Sequence, residues 1–203
     1  MMGAMGQLIL LRHGETEWSA SGRHTGRTDI PLTALGEAAA AALAPALAMR
    51  QIRASFTSPA QRAVLTAELA GLHDAKLDTD LWEWDYGGYE GLTTAQIRAE
   101  RPGWYLWPDG VIPGDIEHPG ETVEQVGLRV DAVLTRVEPL LAEGDVALVA
   151  HGHVLRVLTA RWLELDPADG RLFRLDTGTF STLGTEHGHP VILTWNVPPH
   201  PSR

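Results

Sequence analysis

The chain has 203 residues, 44% hydrophobic and 21% charged, which is enough to form one compact soluble domain with a proper core. Its 26 acidic and 16 basic residues give a formal net charge of −10, which argues against nucleic acid or an anionic membrane as a partner. The absence of cysteine excludes disulfides and cysteine-based metal sites.

The N-terminal fifth of the sequence predicts a strand followed by a helix. Residues 7–12 are apolar at every position from 8 to 11, which is typical of a strand buried on both faces. Residues 33–50 are rich in alanine and predict a helix with Thr33 as its N-cap. Pro45 interrupts this stretch and predicts a kink or a break there.

The next segment repeats the strand–helix pattern. Residues 52–57 predict a second strand, and residues 76–79 a short third one. Between them, Ser58 and Pro59 predict the start of a helix, because serine favours the N-cap and proline the first helical position.

Residues 92–121 are irregular in composition, with four prolines and several glycines. Such a stretch usually covers a site or is mobile, so we expect a lid-like segment here. Trp104 and Trp107 in this segment would either stack on a sugar ring or fill a small core of the lid itself.

The second half returns to regular elements. Residues 121–143 have helical apolar spacing, residues 145–150 predict a buried strand, and a helix follows to about residue 165. Two final strands are predicted around residues 180–183 and 191–195. The alternation predicts an α/β fold in which a mostly parallel sheet carries helices on both faces, as a single domain over residues 1–203.

Phosphate-binding side chains follow three of these predicted elements. Arg12 and His13 come at the end of the first strand, Arg62 lies in the helix after the second, and His151 follows strand 145–150. Ligands of parallel sheets sit beyond the carboxyl ends of the strands, so we expect these residues to converge. A single histidine at the end of a strand is usually structural. Phosphate-binding residues at the equivalent ends of three strands instead indicate a binding site.

These residue types suit phosphoryl transfer. Histidine can attack phosphorus directly, arginine forks bind phosphate oxygens, and a helix N-terminus adds oriented N–H groups. The motifs at residues 12–16, 57–62 and 150–152 resemble those of the histidine phosphatase superfamily, the phosphoglycerate-mutase-like proteins. The similarity covers nearly the whole chain and implies the three-layer fold of that superfamily.

The resemblance also implies roles. His13 would be the nucleophile that carries the phosphoryl group, Arg12 and Arg62 would clamp that group, and His151 would donate a second hydrogen bond to it. Glu83 matches the acid that protonates the leaving group.

Four further residues fall at positions that the resemblance assigns to substrate binding. These residues are Ser19, Thr25, Gly26 and Gly152. Many relatives have asparagine at the position of Ser19. Serine can also donate to a phosphate oxygen, although its side chain reaches less far.

Two branches of the superfamily compete. The surroundings of Ser19 and Glu83 resemble the sugar-bisphosphatase and acid-phosphatase members, notably sedoheptulose-1,7-bisphosphatase, which implies a phosphatase of small phosphorylated metabolites. The alternative is a cofactor-dependent phosphoglycerate mutase, which needs extra basic residues after the acid. Residues 93–121 offer only Arg98 and Arg101 among several carboxylates, and this favours the phosphatase.

Other classes remain open at this point. A catalytically silent binding domain on the same fold is possible, as is a zinc or manganese phosphatase, because His151 and His153 have the spacing of a metal pair. We expect no metal, no cofactor, a small phosphate ester as the ligand, and a homodimer as one possible assembly. Residues 1–6 lack the features of a signal peptide, so we expect a cytoplasmic location.

Overall fold

A six-stranded mixed sheet forms the centre of the structure, a computed structural model that describes residues 6–199. Its strands are β1 (Leu8–Arg12), β2 (Ile52–Thr57), β3 (Lys76–Leu77), β4 (Asp145–Ala150), β5 (Phe180–Glu186) and β6 (His189–Val197). The order across the sheet is β3-β2-β4-β1-β5-β6. The pairs β3–β2, β2–β4 and β4–β1 are parallel, and the pairs β1–β5 and β5–β6 are antiparallel. The predicted α/β fold with a largely parallel sheet is confirmed.

The helices of the described residues lie around this sheet. They are α1 (Glu17–Ser21), α2 (Ala34–Ala41), α3 (Ala44–Ala48), α4 (Gln61–Leu69), α5 (Thr94–Glu100), α6 (Leu106–Asp109), α7 (Val123–Val137) and α8 (Gly152–Trp162). A 3-10 turn, Glu138–Ala142, extends α7 toward β4.

Two apolar cores sandwich the sheet, one on each face. Leu8 and Leu10 of β1 pack in a core with residues of α7 and α8, whereas Ile9 and Leu11 pack with residues of α3 and α4. All four side chains are fully buried, as predicted for this strand. Burying one such side chain contributes about 1.5–3 kcal/mol, which is why the continuous apolar run determines the central position of β1.

The predicted helix over residues 33–50 is two helices, α2 and α3. Thr33 caps the first, since its side chain accepts a hydrogen bond from the Gly36 N–H at 3.0 Å. The helix is interrupted at residues 42–43, and Pro45 lies in the first turn of α3. The cap is confirmed, and the helix does break in this stretch, two to three residues before the proline.

The predicted start of the helix after β2 is wrong. Ser58 and Pro59 precede the helix, and α4 begins at Gln61. The free N–H of Gln61 is capped by Asp29, whose carboxylate accepts it at 2.9 Å from 32 residues away in sequence. The Ser58 hydroxyl accepts from the Ala60 N–H at 3.3 Å and contacts His151.

Residues 92–121 are more regular than predicted, because α5 and α6 lie within them. Trp104 and Trp107 are only 3% and 4% exposed, so both tryptophans belong to the core beneath this segment. The short helix α1 was also missed; Thr16 and Ser19 close a reciprocal capping box around its first turn.

Within residues 6–199, no helix has the length and apolar character needed to cross a bilayer. The first five residues, on which the expectation about a signal peptide partly rests, lie outside the described part of the chain.

Candidate active site

The sheet order brings the predicted phosphate-binding residues together. Strand β4 lies between β2 and β1, so the residues that follow these three strands meet at one edge. The rings of His13 and His151 have centroids 5.0 Å apart, with planes at 65°. The convergence follows from parallel pairing, because neighbouring parallel strands end on the same side.

His13 is held in one orientation and one tautomer. Its Nδ1 lies 2.7 Å from the carbonyl oxygen of Gly14, and because a carbonyl only accepts, Nδ1 must carry the hydrogen. The N–H of Gly14 in turn donates to the Thr66 hydroxyl at 3.1 Å. The lone pair of the neutral ring is therefore on Nε2, the nitrogen available for attack.

The surroundings keep this ring neutral. Burial, followed by the neighbouring charges of Arg62 and Arg12, holds the pKa of His13 well below its ordinary value of 6.5. A neutral histidine is the nucleophilic form, so the two cations that would bind phosphate also keep His13 reactive.

Arg12 has donors to spare for an anion. Its Nη1 donates to the carbonyl oxygen of Leu175 at 2.6 Å, but its buried Nε has no acceptor among the described residues. A buried N–H without a partner costs about 1–3 kcal/mol, and a phosphate oxygen would satisfy it. Gly152 lies against this guanidinium; a Cβ there would be 3.1 Å from Cζ of Arg12.

Arg62 is completely buried and held by backbone carbonyls. Its Nη1 donates to the carbonyl of Thr28 at 2.9 Å, and its Nη2 donates to that of Gly26 at 3.0 Å. Its Nε donates to Nδ1 of His151 at 3.2 Å. These contacts fix the plane of the guanidinium beside both histidines.

His151 is fixed as a neutral donor by the same contact. Because Nδ1 accepts from Arg62, Nε2 carries the hydrogen and donates to the Ser58 hydroxyl at 2.7 Å. Burial and the charge of Arg62 are the largest causes that hold the pKa of His151 well below 6.5. A phosphate oxygen would share or replace the Ser58 hydroxyl as the acceptor.

We expect Arg62→Lys to lower kcat/KM about a hundredfold, equivalent to about 2.7 kcal/mol. Lysine keeps the charge, but it cannot donate in one plane to His151 and to two carbonyls. Steady-state kinetics on a phosphate ester measure the loss. Arg53→Lys is the matched control, since that side chain is exposed and pairs only with Glu143. Near wild-type kinetics for Arg62→Lys would remove this arginine from the site.

Glu83 lies at the N-terminus of α8. Its Oε1 accepts from the N–H groups of Trp84 and Val154, each at 2.9 Å, and its Oε2 accepts from the N–H of His153 at 3.0 Å. The side chain is buried, being 5% exposed. The single donor at Oε2 leaves this oxygen able to carry a proton.

A cavity of about 170 Å³ opens beside His13. Clefts of about 490 and 380 Å³ lie elsewhere, and neither site histidine lines them, so chemistry and not size identifies the site. Five of the residues predicted for the site line the smaller cavity: Arg12, His13, Ser19, Thr25 and Glu83. The other four are not among the residues that line it: Arg62, His151, Gly26 and Gly152.

Ser19 and Gly26 make contacts that the sequence did not indicate. The Ser19 hydroxyl accepts from the Thr16 N–H at 2.9 Å as part of the cap of α1. The Gly26 N–H donates to the Glu90 carboxylate at 2.9 Å, while its carbonyl holds Arg62. Gly26 thus reaches the site through the arginine, and Glu90 anchors the loop that carries it.

Tyr86 and His153 also line the cavity, and the sequence analysis gave neither a role in it. The Tyr86 hydroxyl lies 2.6 Å from Nδ1 of His153. The spacing of His151 and His153 suggested a metal pair, but the two rings have different partners. In residues 6–199 no group of three or more histidine or carboxylate side chains is arranged to hold a metal ion.

We expect His24 to make the protein sensitive to acid. Burial lowers the pKa of His24 from 6.5 to about 4, so between these pH values the unfolded state binds a proton that the folded state does not. The free energy of unfolding is therefore at its full value above pH 6.5 and decreases as the pH falls toward 4. The loss amounts to about 3 kcal/mol of unfolding free energy. Denaturant titrations at pH 7 and pH 4 measure this difference, which His24→Leu should reduce. An equal difference in wild type and variant would contradict it.

Comparisons with known proteins show the family of this chain. The family model of the histidine phosphatase superfamily (branch 1) matches residues 8–198. The acid phosphatase of Mycobacterium tuberculosis is 39% identical over 197 residues, which cover 96% of this chain and 94% of that protein. The sedoheptulose 1,7-bisphosphatase of Saccharomyces cerevisiae is 37% identical over 189 residues, covering 77% and 67%.

A solved structure of an open reading frame product from Mycobacterium tuberculosis superposes with a TM-score of 0.89 at 38% identity. The match covers 96% of this chain and 99% of that one. The sequence and the fold therefore agree over nearly the whole length, and the chain belongs to branch 1 of the histidine phosphatase superfamily.

Proposed function

We propose that the protein is a phosphomonoesterase that hydrolyses small phosphorylated metabolites, sugar phosphates or bisphosphates among them, through a phosphohistidine at His13. The observation that carries the proposal is the state of this ring. Its Nδ1 is bound to a carbonyl, its Nε2 is free, and Arg12 and Arg62 lie beside it.

In the first step, Nε2 of His13 attacks phosphorus and the ester oxygen leaves. Arg12 and Arg62 neutralise the charge on the phosphoryl oxygens, and His151 donates to one of them from Nε2. Glu83 gives its proton to the leaving oxygen, which departs as an alcohol.

In the second step, water attacks the phosphohistidine. Glu83, now a carboxylate, takes the proton of this water, and the N–P bond breaks to return the electron pair to Nε2 of His13. Inorganic phosphate is released, and the acid regains its proton, so the two steps balance as hydrolysis of one ester bond.

The alternative of a phosphoglycerate mutase finds less support. The two basic residues of segment 93–121 are engaged elsewhere: Arg98 donates to the Trp104 carbonyl at 2.8 Å, and Arg101 donates to the Tyr89 hydroxyl at 2.8 Å. Neither lines the cavity beside His13, where a second phosphate of a retained cofactor would bind.

The test is phosphate release from a panel of sugar phosphates and bisphosphates, with and without a chelator. A parallel reaction contains 3-phosphoglycerate and 2,3-bisphosphoglycerate. We expect release of phosphate that the chelator does not reduce. Interconversion of phosphoglycerates without release of phosphate would favour the mutase, and activity recovered only by an added divalent metal would contradict the mechanism.

A further inference from the structure

Three neighbouring rings form part of the wall of the cavity beside His13. The centroids of His24 and Tyr86 are 4.8 Å apart, and those of Tyr86 and His153 are 5.7 Å apart. All three side chains line the cavity together with His13 and Glu83. A group leaving from the phosphorus would therefore meet this wall.

The wall is polar but uncharged. Burial lowers the pKa of His24 to about 4 and holds that of His153 well below 6.5, while burial raises the pKa of Tyr86. At neutral pH none of these rings carries a charge. The cations among the lining residues are Arg12, which the phosphoryl group would occupy, and Arg23, which is exposed at the rim.

The pair of Tyr86 and His153 keeps capacity for a ligand. If the hydroxyl donates to Nδ1, then Nε2 of His153 is left as a donor and the tyrosine oxygen as an acceptor. If Nδ1 donates, the hydroxyl is left as a donor and Nε2 as an acceptor. Either way one donor and one acceptor remain, which is the complement of an alcohol group.

His24 is not held by a structural hydrogen bond at its buried nitrogen. Its Nε2 has no partner among the described residues, although buried polar atoms normally have one. Its ring packs instead on the rings of Tyr86 and Trp104, at 4.8 and 5.5 Å between centroids. This packing positions the imidazole in the wall without using its polar capacity.

We propose that His24, Tyr86 and His153 form a subsite that binds the hydroxyl groups of the leaving alcohol, and so selects phosphate esters whose alcohol is hydroxylated and carries no charge near the reacting phosphate. A carboxylate in the leaving group would lie near Glu83 against an uncharged wall, and we expect the subsite to reject it. This inference rests on the proposed phosphatase function and specifies its substrate class.

The test compares three esters of the same length: sn-glycerol 3-phosphate, n-propyl phosphate and 3-phosphoglycerate. They differ by hydroxyl groups or by one carboxylate. Wild-type protein should give the highest kcat/KM with glycerol 3-phosphate, at least about tenfold above each of the others.

Tyr86→Phe keeps the ring and removes the hydroxyl. It should lower kcat/KM for glycerol 3-phosphate about tenfold and leave n-propyl phosphate within about twofold, because only the first ester loses a hydrogen bond. His24→Leu is the second variant, with the same expected pattern. Tyr89→Phe is the matched control, since this buried tyrosine bonds Arg101 outside the cavity and its loss should not change the ratio.

Equal changes for both esters in Tyr86→Phe, or a wild type that prefers 3-phosphoglycerate, would overturn the subsite. Failure of the phosphatase proposal looks different, because wild-type protein would then release phosphate from none of the esters, or His13→Asn would release it as fast as wild type. That result would overturn the inference as well.

Discussion

Replacing His13 by asparagine is expected to lower kcat/KM for every phosphate ester by at least about 10⁴-fold. The asparagine side-chain amide can keep the hydrogen bond to the Gly14 carbonyl that Nδ1 makes at 2.7 Å, but it has no counterpart of Nε2. The variant thus removes the nucleophile and retains its anchor. Phosphate release under substrate-limited conditions measures the effect.

The control is His73→Asn, since His73 is exposed and lies after α4, away from the cavity. It should match wild type. Thermal unfolding of both variants shows whether the fold is intact. A folded His13→Asn protein with more than about a hundredth of the wild-type rate would assign nucleophilic attack to another group.

Replacing Glu83 by glutamine is expected to slow sugar-phosphate hydrolysis by about 10²–10⁴-fold, the range for loss of a general acid. A sugar alkoxide needs a proton in the transition state, whereas p-nitrophenolate leaves readily without one. Hydrolysis of p-nitrophenyl phosphate should therefore slow much less, provided that dephosphorylation of His13 does not limit the rate. The ratio of the two substrates is the measurement.

The ratio separates chemistry from structure. Glu83 accepts three backbone N–H groups, so glutamine also disturbs the N-terminus of α8, and a purely structural role would slow both substrates equally. Glu100→Gln is the control, because Glu100 is exposed at the end of α5. Equal slowing of both substrates in Glu83→Gln would mean that another residue is the acid.

Sequence patterns predicted the elements whose cause is local. The run at residues 8–11 is apolar at every position, which is typical of a strand covered on both faces, and the structure has such a strand there. The Thr33 cap and the break near Pro45 also depend on nearby residues alone. These elements together predicted a largely parallel sheet. The sheet in turn predicted that the residues after β1, β2 and β4 would converge.

Contacts between distant segments could not be predicted in this way. The start of α4 depends on the Asp29 carboxylate, and the orientation of Arg62 depends on the carbonyls of Thr28 and Gly26. Nothing local to residue 58 shows that its hydroxyl would contact His151 and not cap a helix. The short helices α1, α5 and α6 were missed because each is only four to seven residues long.

The site was predicted at the level of residue type and position, while its network was not. Strand ends indicated Arg12, His13 and His151, and the family resemblance added Glu83. The hydrogen-bond partners that determine which histidine nitrogens carry a hydrogen were seen only in the structure. The contact of Tyr86 with His153 in the cavity wall was also seen only there. The catalytic roles, the cytoplasmic location and the homodimer stay predictions.

The most direct test of the account is to trap the phosphoenzyme. Brief mixing with a ³²P-labelled substrate and quenching in alkali should leave label on the protein that is stable in base and labile in acid, which distinguishes phosphohistidine from phosphoserine. Peptide mapping should place the label on His13, and His13→Asn protein should carry none. Label on another residue, or turnover of substrate with no labelled protein at any quench time, would contradict the mechanism.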